Sequence, residues 1–118
     1  MTALLVADGG AVGVLARYAL GTTVSAEALP WVTVAINVAG SFLLGLLTSA
    51  GGELPSAARL SLGVGVLGGF TTFSTFSLDV LRQLEAGEGG MALLYVLASV
   101  ALGVVAAAVG YYAGRVLA

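Results

Sequence analysis

The chain has 118 residues, of which 8% are charged and 59% hydrophobic, with a net charge of −2 and a mean hydropathy of +1.10. A soluble domain carries about 25% charged residues, so an ordinary cytosolic enzyme and a disordered tail are excluded, as is a nucleic-acid binder, which would need a basic face. The sequence has no histidine and no cysteine, which removes zinc sites of the usual type, histidine acid–base chemistry, thiol nucleophiles and disulfides; the class that remains is an all-α integral membrane protein.

A membrane helix needs about 20 mostly apolar residues, and four stretches supply them. The first covers about residues 2–21 and holds Asp8 and Arg17. These two lie nine residues apart in the sequence, which is about 13–14 Å along a helix. They are too distant to pair within it, and each is expected near an opposite interface. Asp8-Gly9-Gly10 interrupts the early apolar run and no positive segment precedes it, so this stretch reads as a mature span and not as a signal peptide. The second span covers about 31–50 and is free of charge. The third covers about 60–82 and the fourth about 91–116, and together the four make a single domain. The connections are expected at Thr22–Pro30, Gly51–Arg59 and Leu81–Gly90, all of turn and breaker composition. Pro30 and Trp31 suit a helix start at the interface, and Tyr111 and Tyr112 suit the far end of span four.

Arginines near the span ends set topology. With four spans, Arg59 and Arg115 share one side of the membrane, and Arg17 and Arg82 share the other. The tie gives no preference for either orientation. It leaves open a weak bias decided by the cell, or dual topology with both orientations paired antiparallel.

Small and polar residues line one side of several spans. Span one has Gly9, Gly13, Arg17 and Gly21 at four-residue intervals. Span two has Thr33, Asn37, Gly40, Ser41 and Thr48 in a narrow sector. Span four has Tyr95, Ser99, Gly103, Ala106, Gly110 and Gly114. Most are expected to be packing devices, because small residues let membrane helices approach and hydroxyls bond across the gap. Asn37 differs, since a carboxamide at that depth needs partners or water and polar residues there often line a pathway.

Span three carries Gly68-Gly69-Phe70-Thr71-Thr72-Phe73-Ser74-Thr75-Phe76-Ser77. Successive Gly, Thr and Ser weaken a helix, and unwound backbone at membrane depth is tolerated only inside protein or beside a wet cavity. A break near Gly68–Thr72 is therefore expected, with backbone oxygens able to hold a cation. Gly63, Gly65 and Gly68 spell GxGxxG, but without a preceding strand this is no dinucleotide site. The lining offers hydroxyls, an amide and phenylalanine ring edges, the positive part of the aromatic quadrupole. Such weak donors suit a small, hard anion stripped of its water.

These residues resemble the fluoride ion channels often called Fluc or CrcB. The resemblance spans essentially the whole chain and rests on GGFTTFSTFS at Gly68–Ser77, GGAVGVLARY at Gly9–Tyr18 and INVAGSFLLG at Ile36–Gly45. It implies four transmembrane helices with a broken third helix, in an antiparallel, dual-topology homodimer in the cell (inner) membrane. It implies two fluoride pathways and a structural, untransported sodium ion held by the backbone carbonyls of Gly68 and Thr71 from both subunits. Phe73 and Phe76 would form a phenylalanine box. Asn37 would sit on the fluoride pathway with the hydroxyls of Thr72 and Thr75 nearby, Tyr95 and Ser99 would form a polar track, and Arg17 would draw anions into a vestibule. The expected partners are fluoride, membrane lipid and a second copy, with no nucleic acid. Asp8, an acid in an anion-conducting chain, is expected to face a helix interface or the headgroups. The alternative is a small four-span, dual-topology multidrug exporter, which needs a membrane-embedded glutamate in span one. Here every glutamate lies in a loop. A membrane scaffold without transport is a third class. No enzyme activity is expected.

Overall fold

The computed structural model describes residues 1–118. It is entirely helical: α1 (Thr2–Thr22), α2 (Leu29–Ala50), a 3₁₀ turn (Gly51–Glu53), α3 (Ser56–Leu60), a π-helical stretch (Ser61–Leu67), α4 (Gly68–Phe70), α5 (Phe73–Glu85) and α6 (Gly89–Leu117). Four stretches are long and apolar enough to cross a membrane: Thr2–Thr22, Leu29–Glu53, Ser56–Glu85 and Gly89–Leu117. Four spans were expected, and the second, third and fourth each run past both of their expected ends, the third by the most. Pro55 caps α3, so Arg59 lies in that helix and not in the second loop. The third connection shrinks to Ala86–Glu88, closed by Gly87 at φ 77°, the left-handed conformation glycine adopts just past a helix end. Pro30 sits in the first turn of α2, where its missing N–H costs nothing.

The helices associate as two pairs. α2 runs along α6, while α1 runs along α3, the π stretch and α4; α1 and α2 barely touch. Both seams are built from glycine. A methyl group on Gly45 would strike the Ala107 carbonyl, and one on Gly110 would strike that of Phe42. The backbones of α2 and α6 therefore lie against each other, and Ser49 Oγ closes the seam by donating to the Tyr111 carbonyl at 2.6 Å. On the other pair, Gly13 lies against the Val66 carbonyl, Gly65 against that of Val6 and Gly69 against that of Gly10. Ser61 Oγ donates to the Leu5 carbonyl at 2.8 Å. Lipid tails give helices no hydrophobic reason to associate, so such van der Waals seams and hydroxyl bonds carry the association.

Only 13 of 118 residues are buried in the chain, so most of its apolar surface is left for lipid or another protein surface to cover. Asp8 is exposed on α1. The core is polar in part: Thr33 and Asp79 are buried beside Val34, Ile36, Ala92 and a fully enclosed Tyr95.

Candidate ion pathway and cation site

The site is organised by two residues. Thr71 (φ −85°, ψ 158°) and Thr72 (φ −151°, ψ 124°) are extended, between the end of α4 and the start of α5. Extended residues cannot continue the i to i−4 ladder, so backbone groups on both sides lose their helical partners. At membrane depth each must find another.

Some of them do, and the substitutes are side chains. Asn37 of α2 takes both backbone groups of Thr72: its Nδ2 donates to the Thr72 carbonyl at 3.0 Å, and its Oδ1 accepts from the Thr72 N–H at 2.8 Å. Arg17 of α1 donates from Nε to the Gly69 carbonyl at 3.3 Å. Thr72 Oγ1 caps α5 by accepting from the Thr75 N–H at 3.2 Å. The Leu67 carbonyl receives both the N–H of Thr71 at 3.0 Å and its Oγ1 at 3.0 Å.

What remains is informative. The carbonyls of Gly68, Phe70 and Thr71 have no donor, and the N–H groups of Phe73 and Ser74 at the start of α5 have no acceptor. Gly68 and Thr71 both line a cavity of about 330 Å³, whereas Phe70 does not. Two free carbonyl oxygens beside one cavity fit a hard cation such as sodium, which unwound membrane helices hold in this way. Two oxygens are too few by themselves to replace a cation's hydration shell. No cluster of three or more acidic, histidine or cysteine ligands offers an alternative.

The same cavity is lined by Asn37, Thr72, Phe73, Phe76 and Ser99. Ser99 Oγ is buried without a hydrogen-bond partner. A second cavity, of about 400 Å³, is lined by Arg17, Thr72 and Thr75 together with Tyr18, Thr22 and Thr33. Thr72 is the wall common to both. Residues expected to act together are thus divided between two chambers, with Arg17 and Thr75 in one and the phenylalanines and Ser99 in the other.

The rings form a ladder across three helices. Phe73 and Phe76 lie 5.7 Å apart and tilted at 46°, Phe76 stacks on Tyr95 at 5.3 Å and 26°, and Trp31 meets Tyr95 edge-on at 5.8 Å and 80°. Phe73 is 78% exposed, so the ladder begins on an open surface and ends in the core. Tyr95 lines neither chamber. Its hydroxyl donates to Asp79 Oδ2 at 2.9 Å, and that carboxylate is buried.

The sequence reading gives Asp79 no role: it places the glutamates in loops and Asp8 at a helix interface or the headgroups. The signal that could mark it is its place inside the third span, three residues after Phe76, about one helical turn along α5 from the ring that stacks on Tyr95. Asn37 was expected as a donor on the pathway. It lines the chamber, but one of its donors and its acceptor are occupied by Thr72.

Comparison with known proteins identifies the family. Residues 4–111 match the family model described as CrcB-like protein, Camphor Resistance (CrcB). A relative from Thermus thermophilus, named fluoride-specific ion channel FluC, is 50% identical over 97% of this chain and 94% of its own length. Relatives of the same name from Geobacter sulfurreducens and Deinococcus radiodurans are each 48% identical, covering 98% and 97% of this chain and 98% and 92% of their own. A match of this extent, over all four spans and the Thr71–Thr72 interruption, places the chain in the CrcB family of multi-pass membrane proteins.

Proposed function

We propose that the protein is a passive, fluoride-selective channel of the cell membrane and catalyses no reaction. Its reading as an antiparallel, dual-topology homodimer with a functionally broken third helix and a bound sodium ion belongs to the same proposal. The observation that carries it is the lining of the ring-bearing chamber: Phe73 and Phe76 in contact, an unpaired Ser99 hydroxyl, and the free N–H groups that begin α5. Each is a weak donor to an anion, and none is a full positive charge that would trap one. Relatives close to half identical carry the name of fluoride-specific channels, which supports the choice of anion.

Fluoride leaving the cell down its electrochemical gradient would first meet the Arg17 guanidinium, which raises the local anion concentration. Past Thr72, the Ser99 hydroxyl, the amide edge of Asn37 and the ring edges of Phe73 and Phe76 would replace its hydration water, one weak contact at a time. Thr75 lends a hydroxyl on the Arg17 side. Tyr95, held by Asp79, fixes the inner face of Phe76 by stacking. Entry and exit stay fast because no site binds strongly.

Sodium, bound by the Gly68 and Thr71 carbonyls, would supply a fixed positive charge that ties two interrupted helices together. Two carbonyls per protomer make half a site, and an antiparallel partner related by a two-fold axis would present the other half. The two-to-two arginine balance is consistent with both orientations being inserted.

A proton-coupled exporter would need a carboxylate open to the pathway. Asp79 lines neither chamber and is engaged by Tyr95.

The test is ion release from liposomes containing purified protein. Fluoride should leave under a potassium or proton shunt with no energy source, and chloride should be retained. Equal release of the two anions would overturn the reading.

A further inference from the structure

The geometry points to a second role for Arg17: it is a positioning residue that holds the α4 side of the interruption, with the Gly69 carbonyl clamped by its Nε. This rests on the fluoride reading and extends it.

Three observations carry the inference. First, Gly9, Gly13 and Arg17 follow one another at four-residue intervals on α1, one face of the helix. At Gly9 and Gly13 that face lies directly on the backbone of the third span, against the carbonyls of Ser61 and Val66. One turn later the third span has left its helical path at Thr71, and the stripe changes from glycine to a long donor.

Second, the Gly69 carbonyl has lost its helical donor, because the extended Thr71 and Thr72 carry the Phe73 N–H out of reach. Gly69 sits against the Gly10 backbone of α1, with no room for a water-filled detour on that side. Nε reaches its carbonyl at 3.3 Å.

Third, this is the only hydrogen bond the Arg17 side chain makes within the protein. Its terminal nitrogens remain free where the side chain lines the second chamber. The two roles are thus divided by atom. Nε holds the backbone, and the remaining guanidinium N–H groups face incoming anions.

Arg17 then acts as the α1 counterpart of Asn37. Asn37 fixes Thr72 from α2, and Arg17 fixes Gly69 from α1. The two side chains hydrogen-bond the interruption from different helices, one from α2 and one from α1. They leave the Gly68 and Thr71 carbonyls as the free pair beside the central chamber.

The charge and the donor can be separated by substitution. In Arg17→Gln the amide nitrogen stands at the same point along the side chain as Nε, so the donor stays and the charge goes. In Arg17→Met both go at nearly constant length. Fluoride efflux from liposomes is measured in potassium gluconate at about 0.01 M and about 1 M, where the screening length falls from about 30 Å to about 3 Å. At the higher salt, where steering is screened, R17Q should release fluoride about 2–10 times faster than R17M, the range a single hydrogen bond supports. At low salt both should fall below the unsubstituted protein. Equal rates for the two variants at high salt would overturn the clamp and leave only the charge.

If R17M does not assemble, hydrogen exchange of the Gly69–Phe76 peptide decides the matter. R17Q should match the unsubstituted protein, and tenfold faster exchange in R17Q, about 1.4 kcal/mol, would overturn the proposal. Loss of fluoride release by the unsubstituted protein itself would sink the channel reading instead.

Discussion

Asn37→Leu tests how the interruption of the third span is held. The carboxamide makes two hydrogen bonds to one residue, at 3.0 and 2.8 Å, and these satisfy both backbone groups of Thr72. Leucine fills a similar volume but removes both partners. Each backbone group left unpaired costs about 1–3 kcal/mol, so the pair costs about 2–6 kcal/mol. That is a large part of the stability of a domain, which runs at about 5–15 kcal/mol. Thermal unfolding of purified protein in detergent should show a drop of at least about 5 °C in Tm, since 1 kcal/mol moves a domain of this size by several degrees. Asn37→Asp should fall between, because the carboxylate still accepts from the Thr72 N–H but faces its carbonyl without a proton to donate. If Asn37→Leu melts with the unsubstituted protein and conducts fluoride equally well, the carboxamide does not support the break and the hydrogen-bond accounting fails.

Three further outcomes follow from other contacts. Phe76→Ile removes the ring that touches both Phe73 and Tyr95, and fluoride efflux should fall by about tenfold, the effect of about 1.4 kcal/mol on a barrier; unchanged flux would assign the ring to packing. Tyr95→Phe strips the donor from the buried Asp79 carboxylate, at a cost of about 1.5–3 kcal/mol for a bond to a charged group. Adding Asp79→Asn should recover part of that loss in a melting experiment, and no recovery would mean the two side chains are not coupled. Gly110→Val drives a side chain into the Phe42 carbonyl at the α2–α6 seam; overpacking costs about 1–3 kcal/mol, visible as lower yield of folded protein, whereas a normal melting temperature would show that the seam can open.

The four spans were legible because ten charges in a 118-residue chain leave few places for water-facing segments. The glycine spacing on α1 and α6 was legible as packing, since a four-residue period can serve little else in lipid. The Gly68–Ser77 run marked the irregular segment through composition alone. Other features were not legible because they depend on partners distant in sequence. Nothing local to Asn37 says that its amide faces Thr72, 35 residues away. Asp79 lies inside the third span, and nothing local to it shows that Tyr95 of α6 closes over it. Arg17 reads as an interface charge that draws anions until the chain's departure at Thr71 leaves the Gly69 carbonyl beside it. The π-helical turn at Ser61–Leu67 has no periodicity that separates it from an α-helix over so short a length.

The central claim is selective passive conduction, and the reversal potential of the current across a planar bilayer tests it most directly. With a tenfold fluoride gradient and equal, excess chloride on both sides, the account predicts reversal near the fluoride equilibrium potential, about 59 mV per decade for one charge. A reversal potential near zero would show that chloride carries the current and would contradict the account.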